Sequence, residues 1–366
     1  MFKKLDKKIL YTTYILSFIG FSVFFSALLY STKDHSFFVS VLTKQVFAFV
    51  LGFILMFFIA NYKKINAQFL RKNSIFILLA ALILQLLVFS PLGFETKGAR
   101  RWITFDYFTI QPSEFFKYAF IIFFSAVLVT QGKKLAKFKN FVILGFLTYL
   151  PILAIYVAIN DFGSIIILTF TMLVLLFMSK TKYKYLFLIS ILIAPIAVVT
   201  AYNFVPHVKQ RLEVYVFPET RDPLGNYYQQ TQMIQTIGSG ETFGRGLGRS
   251  VQKLSGRIPE PLGDSIFSVF AEETGFVGSI FLIFLFFYFL IIILSKAKKT
   301  KDCFSEMVVV GLGLLIVLPA FYNIGANLGV LPLSGMPMTF VSKGGTSVLA
   351  AFLALGVILS LTKKAR

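Results

Sequence analysis

The sequence predicts an all-α, polytopic integral membrane protein with ten transmembrane helices and both termini in the cytoplasm. Three observations predict it. Apolar runs near 20 residues recur along the whole 366-residue chain, each long enough to cross a bilayer core. The composition is 57% hydrophobic and only 14% charged, where a soluble domain carries about 25% charged residues. Basic residues collect in alternate segments between the runs, as cytoplasmic loops do.

The runs lie near 10–31, 41–61, 74–92, 112–131, 141–159, 162–179, 185–206, 265–295, 306–331 and 340–362. The first follows Lys3, Lys4, Lys7 and Lys8 and has no small-residue cleavage site behind it. It is too long for the apolar stretch of a secretory signal, so it reads as a retained helix. Only Asn160 and Asp161 separate the fifth and sixth runs. The eighth is long enough to tilt or to extend beyond the bilayer.

With the N-terminus inside, every inner segment is basic. They carry Lys63, Lys64, Arg71 and Lys72; Lys133, Lys134, Lys137 and Lys139; Lys180, Lys182 and Lys184; Lys296, Lys298, Lys299 and Lys301; and Lys363, Lys364 and Arg366. Only Asp6, Asp302 and Glu306 accompany them. An error of one span would spoil the alternation. The net charge of +20, 36 basic minus 16 acidic, is therefore a topology signal and not a nucleic-acid footprint. Residues 1–366 read as a single transmembrane domain. Cys303, the one cysteine, can form no intramolecular disulfide and no metal cluster.

Two outer segments are polar: 93–110, and the large extracytoplasmic loop 207–264 between spans seven and eight. Long loops of this kind usually carry function. The first constellation is Gly98-Ala99-Arg100-Arg101-Trp102-Ile103, then Gln111-Pro112-Ser113-Glu114 and Lys117. Pro112 suits the first turn of a helix, and Glu114 in that turn complements the helix dipole. Lys117 lies three residues on, on the same face and deeper, where a lysine needs a partner or a watery cavity. A Glu114–Lys117 pair that only caps the helix is the structural alternative.

The second constellation is the glycine-rich stretch 238–248, which contains Arg245. It lacks the Lys-Ser/Thr of a nucleotide-binding loop. A flexible loop and a backbone-amide cradle for phosphate both fit it. The third runs from Pro259-Glu260-Pro261-Leu262-Gly263-Asp264 into Ser268, Glu272 and Glu273. Asp264 stands where an N-cap belongs, and it also suits a catalytic carboxylate. Asp264, Ser268 and Glu272 fall four apart and share a helix face. Glu272 would lie about 12 Å below Asp264, so this face must look into the bundle.

The fourth constellation holds Asn323 and Asn327, spaced to bridge helices from one face, and ends at Lys343-Gly344-Gly345. Lys343 at the mouth of span ten suits a site or a snorkelling lysine. There is no HExxH, no Cys/His cluster and no Gly-x-Ser-x-Gly, and His35 and His207 are the only histidines. These residues therefore speak against metal hydrolysis and a Ser-His-Asp triad.

Together these blocks resemble the SEDS (shape, elongation, division and sporulation) family, of RodA/FtsW type, over nearly the whole chain. The matching residues are 98–103 with 111–117, then Asp222-Pro223, Gly225, Tyr228-Gln229, the glycine stretch and 259–278, and finally 323–347. Lys97, Ser265 and Lys343 depart from the residues usual there, and Asn160-Asp161-Phe162-Gly163 resembles its family block only loosely. Gly263-Asp264-Ser265-Ile266 leans towards FtsW-like members.

The resemblance implies a peptidoglycan glycosyltransferase in the bacterial cytoplasmic membrane. It would polymerise lipid II, a disaccharide-peptide on undecaprenyl pyrophosphate, with inversion, beside a class B penicillin-binding protein. It implies Asp264 as the essential aspartate and Lys117 as the lysine near it, and Arg100, Arg101, Glu114 and 238–248 match further motif positions. Transfer needs a base, for which Asp264 is the candidate, and positive charge at the leaving pyrophosphate. Lys117, Arg100, Arg101, Arg245 and Lys343 are the candidates for that charge, with Glu114, Ser268 and Glu272 supporting. No cofactor is required by the sequence; a divalent cation, magnesium or manganese, could share the charge. A lipid II flippase and a non-catalytic scaffold for a cell-wall synthase are the rival readings. Membrane lipids are expected partners and nucleic acid is not.

Overall fold

The computed structural model describes residues 5–31, 34–96, 99–105, 108–132, 134–179, 181–182, 184–185, 209, 213, 215, 226–250 and 256–363. Among them, six helices are long and apolar enough to cross a membrane. They are α1 (Lys7–Ser31), α2 (His35–Asn61), α5 (Pro112–Gln131), α6 (Phe138–Ala158), α9 (Ile266–Ala297) and α10 (Cys303–Asn327). Three apolar helices are shorter: α4 (Ser74–Leu86, extended to Phe89 by a 3-10 turn), α7 (Phe162–Met178) and α11 (Gly345–Leu361). Two further helices are not apolar spans: α3 (Ala67–Lys72) and α8 (Asn226–Ser239). The predicted seventh span, Lys97 and the Asp222-Pro223 block lie outside the described residues.

Helix α10 sits at the centre. It packs against α5, α7, α9 and α11, and nearly all of its residues are buried. The outer helices turn Phe, Ile, Leu and Val side chains outward, among them Phe18, Phe47, Phe146 and Phe284, as helices facing lipid do. Helix α11 packs closely on α2. Phe352 seats its ring 4.4 Å from that of Phe53 and 5.8 Å from that of Phe49.

Two features depart from a purely helical expectation. The segment after α4 forms a three-stranded antiparallel sheet in the order β1 (Gly93–Thr96), β2 (Ala99–Phe105), β3 (Phe108–Ile110). Its register pairs Phe94 with Trp102 and Ile103 with Ile110. Second, α9 is broken at Gly275, whose φ of 70° and ψ of −168° are not helical.

Contacts sort the helix ends into two sets. Lys296 pairs with Asp6, the Ser360 hydroxyl reaches the Ile65 carbonyl, Arg71 reaches Thr130, and Tyr185 reaches the Ala136 carbonyl. At the other ends, Gln111 meets Thr346, Ser113 meets Asp161, Asn327 meets Asp264, and Tyr215 meets the Val330 carbonyl.

Candidate active site

One cavity of about 150 Å³ gathers side chains from distant parts of the chain. Arg101 and Trp102 come from β2, Glu114 and Lys117 from α5, and Asp161 and Ser164 from the start of α7. Asp264 comes from the turn before α9, and Lys343 from the loop before α11.

Pro112 begins α5 and Glu114 sits in its first turn, as the sequence predicts. One turn deeper, Lys117 Nζ lies 2.9 Å from both Glu114 carboxylate oxygens, and each side chain is only 7% exposed. The ammonium also stands 5.7 Å from the Tyr118 ring centroid. Tyr118 in turn reaches the Leu315 carbonyl at 3.5 Å. That carbonyl is the one Pro319 of α10 leaves without a helical donor.

Asp264 is held through its backbone. Its carbonyl accepts the Asn327 side-chain amide at 2.7 Å and that of Asn323 at 3.2 Å. Asn327 Oδ1 accepts the Ser268 hydroxyl at 2.7 Å, so the two asparagines tie the end of α10 to the start of α9. The Asp264 carboxylate lies over Gly335, where a Cβ would sit 3.7 Å from Oδ2. The N-cap position itself falls on Ser265, which makes no capping bond and donates instead to the Pro259 carbonyl at 2.5 Å.

The loop before α11 completes the enclosure. Lys343 N–H donates to the Leu262 carbonyl at 2.6 Å, and Ser342 Oγ donates to the Gly263 carbonyl at 3.0 Å. The Lys343 ammonium stands 5.4 Å from the Phe37 ring. Lys343 precedes the helix, and desolvation lowers its pKa from the usual lysine value, with Glu260 opposing that shift and Lys44 reinforcing it.

Asp161 is a site residue that the spacing argument passed over. It caps α7, accepting Ser164 N–H at 3.2 Å and the Ser164 hydroxyl at 2.9 Å, with the Ser113 hydroxyl at 3.4 Å. The signal was present in Asp161-Phe162-Gly163-Ser164, a cap residue and its partner opening an apolar run. Trp102 and Gln111 also line the cavity.

Arg100, Arg245, Ser268 and Glu272 do not line it. Neighbouring residues on a strand point to opposite faces. Arg101 therefore donates to the Ile159 and Asn160 carbonyls beside the cavity, and Arg100 turns to the carbonyls of Ser90 and Gly93. Arg245 sits at the break in α9, 3.7 Å from Glu272. Its N–H and that of Gly246 donate to the carbonyls of Glu272 and Glu273, each at 2.9 Å. These two amides of the glycine stretch are committed to the helix, which removes them from a phosphate cradle. Glu272 also accepts the Ser250 hydroxyl. Ser268 touches the site only through Asn327.

Among the described residues no three His, Cys, Asp or Glu side chains converge as ligands. In the cavity Glu114 is bound by Lys117, and Asp161 by Ser164 and Ser113.

The sequence matches the family model described as cell cycle protein, FtsW, RodA and SpoVE, over residues 6–366. It is 32% identical over 362 residues to the probable peptidoglycan glycosyltransferase FtsW of Wigglesworthia glossinidia brevipalpis, covering 97% of this chain and 92% of that one. It is 30% identical over 370 residues to stage V sporulation protein E of Bacillus subtilis strain 168, covering 99% of this chain and 98% of that one. Among solved structures, a chain from a peptidoglycan synthase complex that coordinates polymerization and crosslinking is similar with a TM-score of 0.80. The identity is 23%, over 98% of this chain and 97% of that one. The rod shape determining protein RodA of Thermus thermophilus gives a TM-score of 0.71 at 22% identity, over 99% of this chain and 97% of that one. Both likenesses speak to the fold. The motif blocks, the fold and the full-length match agree, and the chain belongs to the family of FtsW, RodA and SpoVE.

Proposed function

We propose that this chain is a peptidoglycan glycosyltransferase that polymerises lipid II at the outer face of the bacterial cytoplasmic membrane, with Asp264 as general base. One observation carries the assignment of roles: Asp264 shares a single cavity with Arg101, Lys117 and Lys343, which come from three other parts of the chain. The relatives named peptidoglycan glycosyltransferases support the reaction class.

In the proposed step, the Asp264 carboxylate takes the proton of the acceptor sugar hydroxyl. The hydroxyl oxygen attacks the anomeric carbon of the donor from the face opposite the leaving group. The bond from that carbon to the pyrophosphate oxygen breaks, and undecaprenyl pyrophosphate departs. Lys117, Arg101 and Lys343 stabilise the charge on the departing oxygens, where fixed cations in a desolvated site act most strongly. Arg100 and Arg245 serve the architecture instead, holding the sheet and the α9 break.

Ten spans with both termini cytoplasmic, and the large loop 207–264 outside, complete the proposal. The sorting of helix ends into two contact sets supports it: Asp6, Ile65, Lys296 and Ser360 fall in one set, and Asp161, Asp264 and Thr346 in the other. A class B penicillin-binding protein is the proposed partner.

Asp264→Asn tests the base. Asparagine keeps the side-chain size and the backbone carbonyl held by Asn327 and Asn323. In vesicles containing the partner and lipid II, the variant should melt like the parent and lose about 10²–10⁴-fold in polymerisation rate. Full polymerisation by the variant would remove Asp264 from the chemistry. Lipid II translocation by the parent without glycan synthesis would favour the flippase reading.

A further inference from the structure

A second cavity, about 580 Å³, lies at the far end of α5 from Glu114 and Lys117. Helix α5 has 20 residues, about 30 Å at 1.5 Å per residue, so this cavity belongs to the opposite membrane face. Its polar rim is Gln68, Arg71 and Lys72 of α3, Ser74 of α4, and Thr130 and Gln131 of α5.

The charge there is unbalanced. Two cations line the cavity and no carboxylate does. Among the described residues neither Arg71 nor Lys72 joins an ion pair. Arg71 is aimed across the cavity, its Nη2 3.4 Å from Thr130 Oγ1. Both cations also complement the partial negative charge at the C-terminus of α3. That effect and the basic character of the inner segments explain their place on the helix; over the cavity they meet no carboxylate in its lining.

The wall changes character along its length. Ala126 and Val127 line it below the polar rim. A free anion would use only the rim. A molecule with an anionic head and acyl chains would use the rim and the apolar strip together. Guanidinium matches phosphate oxygens in two-point contacts, and lysine adds a point charge. Basic pockets between helices are suited to anionic lipid heads.

We propose that this cavity binds the phosphodiester head of an anionic phospholipid, with its acyl chains running past Ala126 and Val127 of α5. The test uses the full chain, delipidated in detergent and followed by native mass spectrometry. Phosphatidylglycerol, phosphatidylcholine and inorganic phosphate are titrated in separate arms. Phosphatidylglycerol should be retained, and both other ligands should bind at least about tenfold more weakly. The Arg71→Gln/Lys72→Gln variant should lose about tenfold in phosphatidylglycerol retention, with an unchanged melting temperature. Lys63→Gln/Lys64→Gln removes two exposed cations that do not line the cavity and should retain the lipid. Equal losses in both variants would overturn the proposal in favour of diffuse surface charge. Equal retention of phosphatidylcholine would overturn the anionic head, and equal binding of inorganic phosphate would overturn the lipid.

Discussion

At the residue scale, the backbone of the candidate base is held by side-chain amides. Asn327 is fully buried. Its Nδ2 donates to the Asp264 carbonyl at 2.7 Å and to the Asn323 carbonyl at 2.8 Å, and its Oδ1 accepts from Ser268. Removing it leaves buried groups unsatisfied at a cost of about 1–3 kcal/mol. Asn327→Ala should therefore lower the melting temperature and, among molecules still folded, reduce kcat more than it raises KM. A purely packing role would lower the melting temperature and leave kcat of the folded fraction intact, so steady-state kinetics at a permissive temperature separates the two. The sequence shows the i, i+4 spacing of Asn323 and Asn327, and it predicts a bridge between helices. It does not show the far end of the bridge, because a carbonyl acceptor carries no residue signature. The same limit explains Arg100 and Arg101. Both stand in one motif, and only the register of β2 decides that Arg101 faces the cavity.

At the element scale, the telling feature is the break in α9. A non-helical Gly275 frees backbone groups within a long apolar helix, and those groups need partners where water is scarce. The glycine-rich stretch supplies them. Phe276 N–H donates to the Glu241 carbonyl at 2.9 Å, and Val277 N–H donates to that of Thr242 at 3.1 Å. In the other direction Arg245 and Gly246 serve Glu272 and Glu273. The fit leaves no room: a Cβ on Gly275 would lie 2.3 Å from Gly244 N, and its φ of 70° with ψ of −168° is a region almost confined to glycine. Gly275→Ala should destabilise the protein by at least about 1–3 kcal/mol, read as an earlier thermal transition in detergent. Gly145→Ala in α6, where a Cβ meets nothing within 4 Å, should be neutral or stabilising by about 0.5–1 kcal/mol. Equal effects would show that the break is not a special element. The apolar helices among the described residues were legible because a bilayer imposes their length. The break and the sheet were not, since both depend on pairings between segments far apart in sequence.

At the scale of the whole molecule, one reading of the charge pattern remains to be set against experiment. The basic segments assign the ends joined by Asp6 and Lys296 to the cytoplasm, and the cavity around Asp264 to the outside. The chain supplies its own reporter. Cys303 is the one cysteine. It is exposed at the start of α10, just after Lys296, Lys298, Lys299 and Lys301. A membrane-impermeant maleimide should modify it in inside-out vesicles and spare it in intact spheroplasts. In a Cys303→Ser background, Arg257→Cys places a thiol at an exposed position seven residues before Asp264, and it should label with the opposite sidedness. The two thiols are separated by a single pass of α9, so opposite labelling follows only if α9 spans the membrane. Labelling of both from one side would break the alternation on which ten spans rest. Opposite labelling with the sides exchanged would preserve the span and invert the molecule. The cavity around Asp264 would then face the cytoplasm, and the proposed outward-facing polymerase would fail with it.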